Sequence, residues 1–369
     1  MNSGERLRAT FELKPVDHLY RKEFYIWDEA ITRWKTEGLP DDYMEQNLFN
    51  YDEPGEITVG QDLGWCEPPF FPYFEEKIIS TECNTEIIQD VAGRHLKVFK
   101  GRRHGFMPEY IKHPVETRKD WEEIVLPRLD PYNDERYKTL TDRCKQAEIE
   151  RIDKNRIVKQ GFIGGYMYLR ALMGPEGILY AVHDDPELVH DMMKQWLKVM
   201  DHAIGKIQNI ISLDLLELAE DICYKQGLLI SPDMVREFLL PYYQELVSKA
   251  KARQKEKLYL LVDTDGYADP AIPLYLEVGM NIMEPFEVAS NCDVVRTGKE
   301  YPNLVMTGGI DKRVMAEGKK AIDKHLEYII PAMLERGGYI PTCDHGVPDD
   351  VSLENYLYYR KRICELDHH

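Results

Sequence analysis

Five stretches of the 369-residue chain place acidic, imidazole or thiol side chains at or just after an apolar run. Leu213–Leu218 carries Glu217 and leads into Glu220 and Asp221. Leu258–Val262 runs into Asp263-Thr264-Asp265-Gly266. Asn281–Met283 is followed by Glu284 and Glu287. Leu304–Met306 leads to Gly308-Gly309-Ile310-Asp311, and Tyr339–Ile340 to Cys343-Asp344-His345-Gly346. Carboxylates gathered at one mouth repel one another and raise each other's pKa. They are tolerated where a cation sits among them or where protons are shared. A divalent metal held by Asp, His and Cys would do this. A cationic substrate or a proton-sharing acid/base pair are the alternatives.

Each stretch alone has a plainer reading. Asp263-x-Asp265-Gly266 could be a turn. Gly308-Gly309 could cradle a phosphate, or simply let strand and helix approach. Glu217 could be an ion-pair partner, Cys343 a small buried apolar group and His345 a hydrogen-bonded structural residue. Their shared position after strand-like runs argues for a site. Glu220, Asp221, Asp263, Asp265 and His345 are the catalytic candidates. Phe162, Glu217, Glu284 and Asp311 are expected to contact the substrate. Asp263, Asp265, Cys343 and His345 are the expected metal ligands, with Glu220 as a further oxygen donor and zinc as the expected ion.

The elements that must position these residues become regular after about Arg156. Apolar β-type runs, beginning with Ile157–Ile163, alternate with helical stretches. Asp185-Pro186 and Ser231-Pro232 each pair an N-cap with proline at the first helical position. Apolar stripes follow, Leu188, Val189, Met192, Trp196, Leu197 and Met200 in the first. Strands alternating with helices mean parallel β-structure. Six such units, with earlier strands upstream, predict an α/β fold of the eight-stranded (β/α)₈ barrel type, in which catalytic residues follow the strands. A doubly wound sheet competes, but no Gly-rich phosphate loop follows a first strand. Upstream, Asn2 and Glu5 read as a capping box. Residues 50–72 read as an ordered loop region, and Thr85–Asp90 with His95–Lys100 as a β-hairpin. One domain is expected over residues 1–369. Residues 1–150 supply elaborations and first strands, and 151–369 the regular βα units.

A net charge of -18 disfavours nucleic acid and anionic lipid as partners. No run of about 18 apolar residues is present, so no membrane span is expected. The polar start, Met1 to Arg8, lacks the apolar stretch of a secretory signal. Seven scattered cysteines without a CxxC pair fit a reducing compartment, so the cytoplasm is expected.

The sequence resembles the uroporphyrinogen decarboxylase superfamily. The resemblance is most specific in Gly308-Gly309-Ile310-Asp311, Gly337-Gly338-Tyr339-Ile340, Asp344-His345-Gly346-Val347-Pro348 and Glu354-Asn355. His183 to Val189, Ile230 to Met234 and Arg6 to Pro40 add to it, and together they extend over essentially the whole chain. The resemblance implies the barrel. It also implies a choice between porphyrin decarboxylation and corrinoid-dependent methyl transfer. The decarboxylases open with Met-Arg-Gln-Ala-Gly-Arg, whose arginines hold tetrapyrrole carboxylates. Here the region reads Glu23-Phe24-Tyr25-Ile26-Trp27-Asp28, aromatic and acidic, which argues against a polycarboxylate substrate. The methyltransferases hold zinc through His-x-Cys-Gly and a later Cys. Asp263-Thr264-Asp265-Gly266 occupies the first motif. His345 aligns with the later cysteine, or Cys343 does if the register slips by two. The altered ligands disfavour thiol activation.

The nearest match is the O-demethylase type, in which a methyl group passes from a small methoxylated, aromatic compound to a corrinoid carried by a partner protein. The expected partners are thus that corrinoid protein and a small-molecule methyl donor. A decarboxylase of a small or aromatic acid is the second reading, and a non-catalytic relative that binds a tetrapyrrole or corrinoid the third. Whether the chain forms a homodimer stays open.

Overall fold

The computed structural model describes residues 1–101 and 108–368. Its main sheet has seven parallel strands: β1 (Glu56–Thr58), β6 (Ile157–Ile163), β7 (Leu215–Ala219), β10 (Tyr259–Asp263), β11 (Ile282–Phe286), β12 (Val305–Gly308) and β13 (Tyr339–Ile340), hydrogen-bonded in that order. Between β1 and β6 lies a separate antiparallel sheet of β2 (Lys77–Glu82), β3 (Thr85–Gln89), β4 (His95–Phe99) and β5 (Glu109–Lys112). A small ribbon, β8 (Cys223–Tyr224) with β9 (Gly227–Leu228), follows β7.

Side chains of a strand alternate between two faces, and both faces of this sheet are apolar at depth. Val158, Leu216, Leu218, Leu260, Val262, Met283 and Met306 join the large core shared with the helices. Ile157, Leu215, Tyr259, Leu261, Ile282, Val305 and Ile340 form a second cluster with Leu7 and Phe11. Leu7 and Phe11 belong to the helix Ser3–Phe11. That helix therefore closes the N-terminal end of the sheet's concave interior. Its start is fixed by the expected capping box, since Asn2 accepts from the Glu5 N–H and Glu5 reaches back to the Asn2 N–H. Each buried aliphatic in this plug contributes about 1.5–3 kcal/mol.

The caps after the strands also form. Asp185 accepts from the Leu188 N–H and Ser231 from the Met234 N–H, each with proline at the first helical position. Seven strands, rather than the expected eight, pair in the main sheet among the described residues. Residues 22–27 instead meet its far side through one parallel bridge, Ile26 to Val347. No helix among the described residues is long and apolar enough to cross a membrane.

Candidate active site

The face that buries the plug at one end of the strands carries charge at the other. Two residues beyond Ile157, Leu215, Leu261 and Ile282 stand Lys159, Glu217, Asp263 and Glu284. The period of two puts each on the same side as its apolar predecessor. Asp263 and Glu284 are direct neighbours across β10 and β11. These four residues line a cavity of about 510 Å³. Lys22, Glu23 and Glu56 contribute from the N-terminal segments, and Glu220, Asp221, Asp265 and His345 from the strand ends. Phe24, Tyr25, Trp27 and Trp65 form an aromatic wall.

Two lysines organise the deeper charges. Lys159 Nζ lies 3.1 Å from Glu56 and 3.0 Å from Glu217. Burial alone would raise the Glu56 carboxyl, but the Lys22 and Lys159 charges outweigh it and bring it down to about 2. Glu284 behaves oppositely. Burial, reinforced by Glu217, pushes it up to about 7 against the pull of Lys22 and Lys159. Burial also holds Asp263 well above the usual carboxylate range, with Glu284, Asp265, Glu217 and Asp221 adding to it. The Asp263–Glu284 pair therefore retains a proton near neutral pH.

Nearer the opening, His345 Nε2 stands 3.6 Å from Asp265. That partner raises the imidazole pKa against the effect of burial. The His345 ring lies over Trp27, with centroids 6.2 Å apart, and 5.6 Å from Phe24. Asp221 sits at φ 47°, a left-handed conformation that aspartate tolerates, and pairs with Arg170.

Glu220 is buried, at 0% exposure. The Tyr243 and Tyr275 hydroxyls both donate to it, Tyr275 at 2.6 Å, and the Tyr166 N–H donates at 3.3 Å. A Cβ at position 164 would fall 1.7 Å from its Oε2, so only glycine fits there. Burial nevertheless pushes Glu220 up to about 7. The unfolded chain would release this proton at about pH 4.3. The native state therefore binds more protons between those values, and stability falls as pH rises through that window. Glu220→Gln is expected to flatten the fall, measured as urea-unfolding free energy from pH 4.5 to 8. An unchanged pH slope would show that Glu220 is ionised throughout.

Three expected contacts are corrected by geometry. Phe162 is one residue out of phase with Lys159 and Gly161, so it faces the helices and packs on Trp196 rather than on substrate. Asp311 caps the helix Lys312–Glu317 and pairs with Arg313, outside the cavity. Cys343 lies in the helix-side core with 0% exposure, its thiol pushed well up by burial. Its N–H donates to Glu23 at 2.6 Å. Of the expected metal ligands, Asp263, Asp265 and His345 line the cavity, while Cys343 stands apart from them in the core. Among the described residues no three His, Cys, Asp or Glu side chains converge to hold a metal.

Glu23, Phe24, Tyr25 and Trp27 line the cavity, as their place in the resemblance implies, whereas Lys22, Glu56, Lys159 and Arg170 are additions of the structure. Lys159 had a signal: it is a lone charge inside the apolar run Ile157–Ile163, in phase with Ile157. The others come from irregular segments, a helix or, for Glu56, a strand of three residues, where no period marks the inward side.

This arrangement, a parallel sheet with a plugged base and chemistry at the strand ends, is that of a barrel-type α/β protein. The family model for uroporphyrinogen decarboxylase (URO-D) matches residues 92–364, and the chain belongs to that family. A uroporphyrinogen decarboxylase from Hydrogenobaculum sp. is 27% identical over 70 residues, 19% of this chain and 20% of that protein. One from Pelodictyon phaeoclathratiforme is 19% identical over 286 residues, 73% of this chain and 74% of that protein. A methyltransferase from Methanosarcina mazei has a similar fold, with a TM-score of 0.58, 13% identity and 99% of each chain covered.

Proposed function

We propose that this chain transfers a methyl group from a small methoxylated, aromatic donor to a corrinoid carried by a partner protein. The observation that carries the reading is Asp263, a carboxyl held above the usual range beside Glu284, in a cavity walled by Phe24, Tyr25, Trp27 and Trp65. Cleaving a methyl ether requires a proton for the departing oxygen. The methyl–oxygen bond breaks with its electron pair going to oxygen, and Asp263 gives that oxygen a proton. The reduced corrinoid, here a substrate, supplies the electron pair of the new bond to the methyl carbon. The aromatic wall offers ring faces for an aryl group, worth about 0.5–1.5 kcal/mol per pair. The Asp265–His345 pair is a second place from which a proton can be supplied. The likeness to a methyltransferase supports the reading at the level of fold.

Decarboxylation of a small acid is the second reading, favoured by the names of the curated relatives. Against it, Lys159 is already engaged by Glu56 and Glu217, and Lys22 is the one other lysine in a lining with eight carboxylates. Mixed with reduced corrinoid protein and a panel of methoxybenzenes, the protein is expected to convert the reduced corrinoid spectrum to the methylated one. CO₂ release from a carboxylic acid, with no corrinoid change for any donor, would favour the second reading.

A further inference from the structure

Among the side chains lining the cavity are eight carboxylates and two lysines. Most of the carboxylates have partners. Glu56 and Glu217 hold Lys159, Asp221 holds Arg170, and Asp265 faces His345. Glu23 accepts from the Tyr356 hydroxyl and Glu220 from two tyrosines. Glu284 is different. It is 4% exposed, and its Oε2 is buried with no hydrogen-bond donor. A buried polar atom left without a partner costs free energy, and native proteins ordinarily satisfy it with protein, water or ligand. The group best suited to a carboxylate oxygen is a positively charged N–H donor. The wall of Phe24, Tyr25, Trp27 and Trp65 leaves ring faces for the rest of such a ligand, which suits an aromatic group joined to that donor.

We infer that the methyl donor bears an ammonium group, whose N–H is received by Glu284 while its aromatic ring lies against the wall of Phe24 and Trp27. The inference rests on reading this cavity as the donor site. It narrows the donor to methoxylated arylalkyl amines, whose nitrogen is protonated at neutral pH, and it gives the surplus of carboxylates a role. An ammonium beside Glu284 favours its ionised form, while burial still holds the Asp263 carboxyl above the usual range.

Calorimetric titration with three probes of matched shape tests it: 4-methoxybenzylamine, 4-methoxybenzyl alcohol and 4-methoxybenzoate. The amine is expected to bind at least about tenfold tighter than the alcohol, ~1.4 kcal/mol, with the benzoate weakest. In Glu284→Gln the amine should lose that advantage while the alcohol binds as before. Equal or tighter binding of the alcohol or benzoate to the unaltered protein overturns the inference, whether or not the variant folds. So does a preference for the amine that persists in a Glu284→Gln protein of native circular dichroism. Selective amine binding without methyl transfer to reduced corrinoid supports the ligand class and counts against the proposed reaction. Transfer from uncharged donors with no preference for the amine keeps the reaction and overturns the ligand class.

Discussion

Asp263→Asn is expected to lower methyl transfer by about two orders of magnitude or more, with circular dichroism and melting close to those of the unaltered protein. The substitution keeps size and turn-forming ability but removes the exchangeable acidic proton. Asn serves about as well as Asp in a turn, so a residue that only shapes the strand end would tolerate the change within a few-fold. The geometry argues for more. Asp263 lies on the interior face of β10, next to Glu284, in a setting that keeps a proton on the pair at neutral pH. Steady-state rates with a methoxylated donor and reduced corrinoid protein decide between these. Turnover within a few-fold of normal would return Asp263-x-Asp265 to a turn.

Lys159→Met is expected to produce the largest loss of stability of any single change in the cavity, about 3–5 kcal/mol at pH 7, measured by urea unfolding. The lysine holds Glu56 at 3.1 Å and Glu217 at 3.0 Å, and its removal leaves two inward carboxylates with one fewer cation between them. The pH dependence gives the cause away. Glu56 is held at about 2, below its unfolded value, so its contribution is present above about pH 4.3 and is lost as pH falls toward 2. The difference between variant and unaltered protein should therefore shrink as the solution is acidified below about pH 4. A difference that stays constant with pH would mean that the lysine acts through its packed aliphatic stem rather than its charge.

Much of the site could be read from residue order because parallel strands deliver their last residues to one place. Asp263, Asp265, Glu284 and His345 follow apolar runs, and all four line the same cavity. What residue order conceals is phase. Phe162 is next to an inward position, and a shift of one residue turns a side chain to the other face. Cys343 is separated from His345 by a single residue, yet one enters the core and the other lines the cavity. The glycine-rich run before Asp311 suggested a ligand contact, but its carboxylate is occupied in capping a helix. The lower half of the site was hidden for a different reason. Lys22 lies in irregular chain, and Glu56 in a three-residue strand within the stretch read as a loop. Strands that short carry no usable alternation. The buried environment of Glu220 was equally illegible, since its partners Tyr243 and Tyr275 lie 23 and 55 residues away in sequence.

The most direct test of the account follows the methyl carbon itself. A donor labelled with ¹³C in its methoxy group is incubated with the protein and a reduced corrinoid protein, and the label is located by NMR. The account predicts that the label moves to the corrinoid, that one equivalent of the free hydroxyl compound appears, and that Asp263→Asn slows both together. Label that stays on the donor in every case, while a carboxylated analogue loses CO₂, would contradict it.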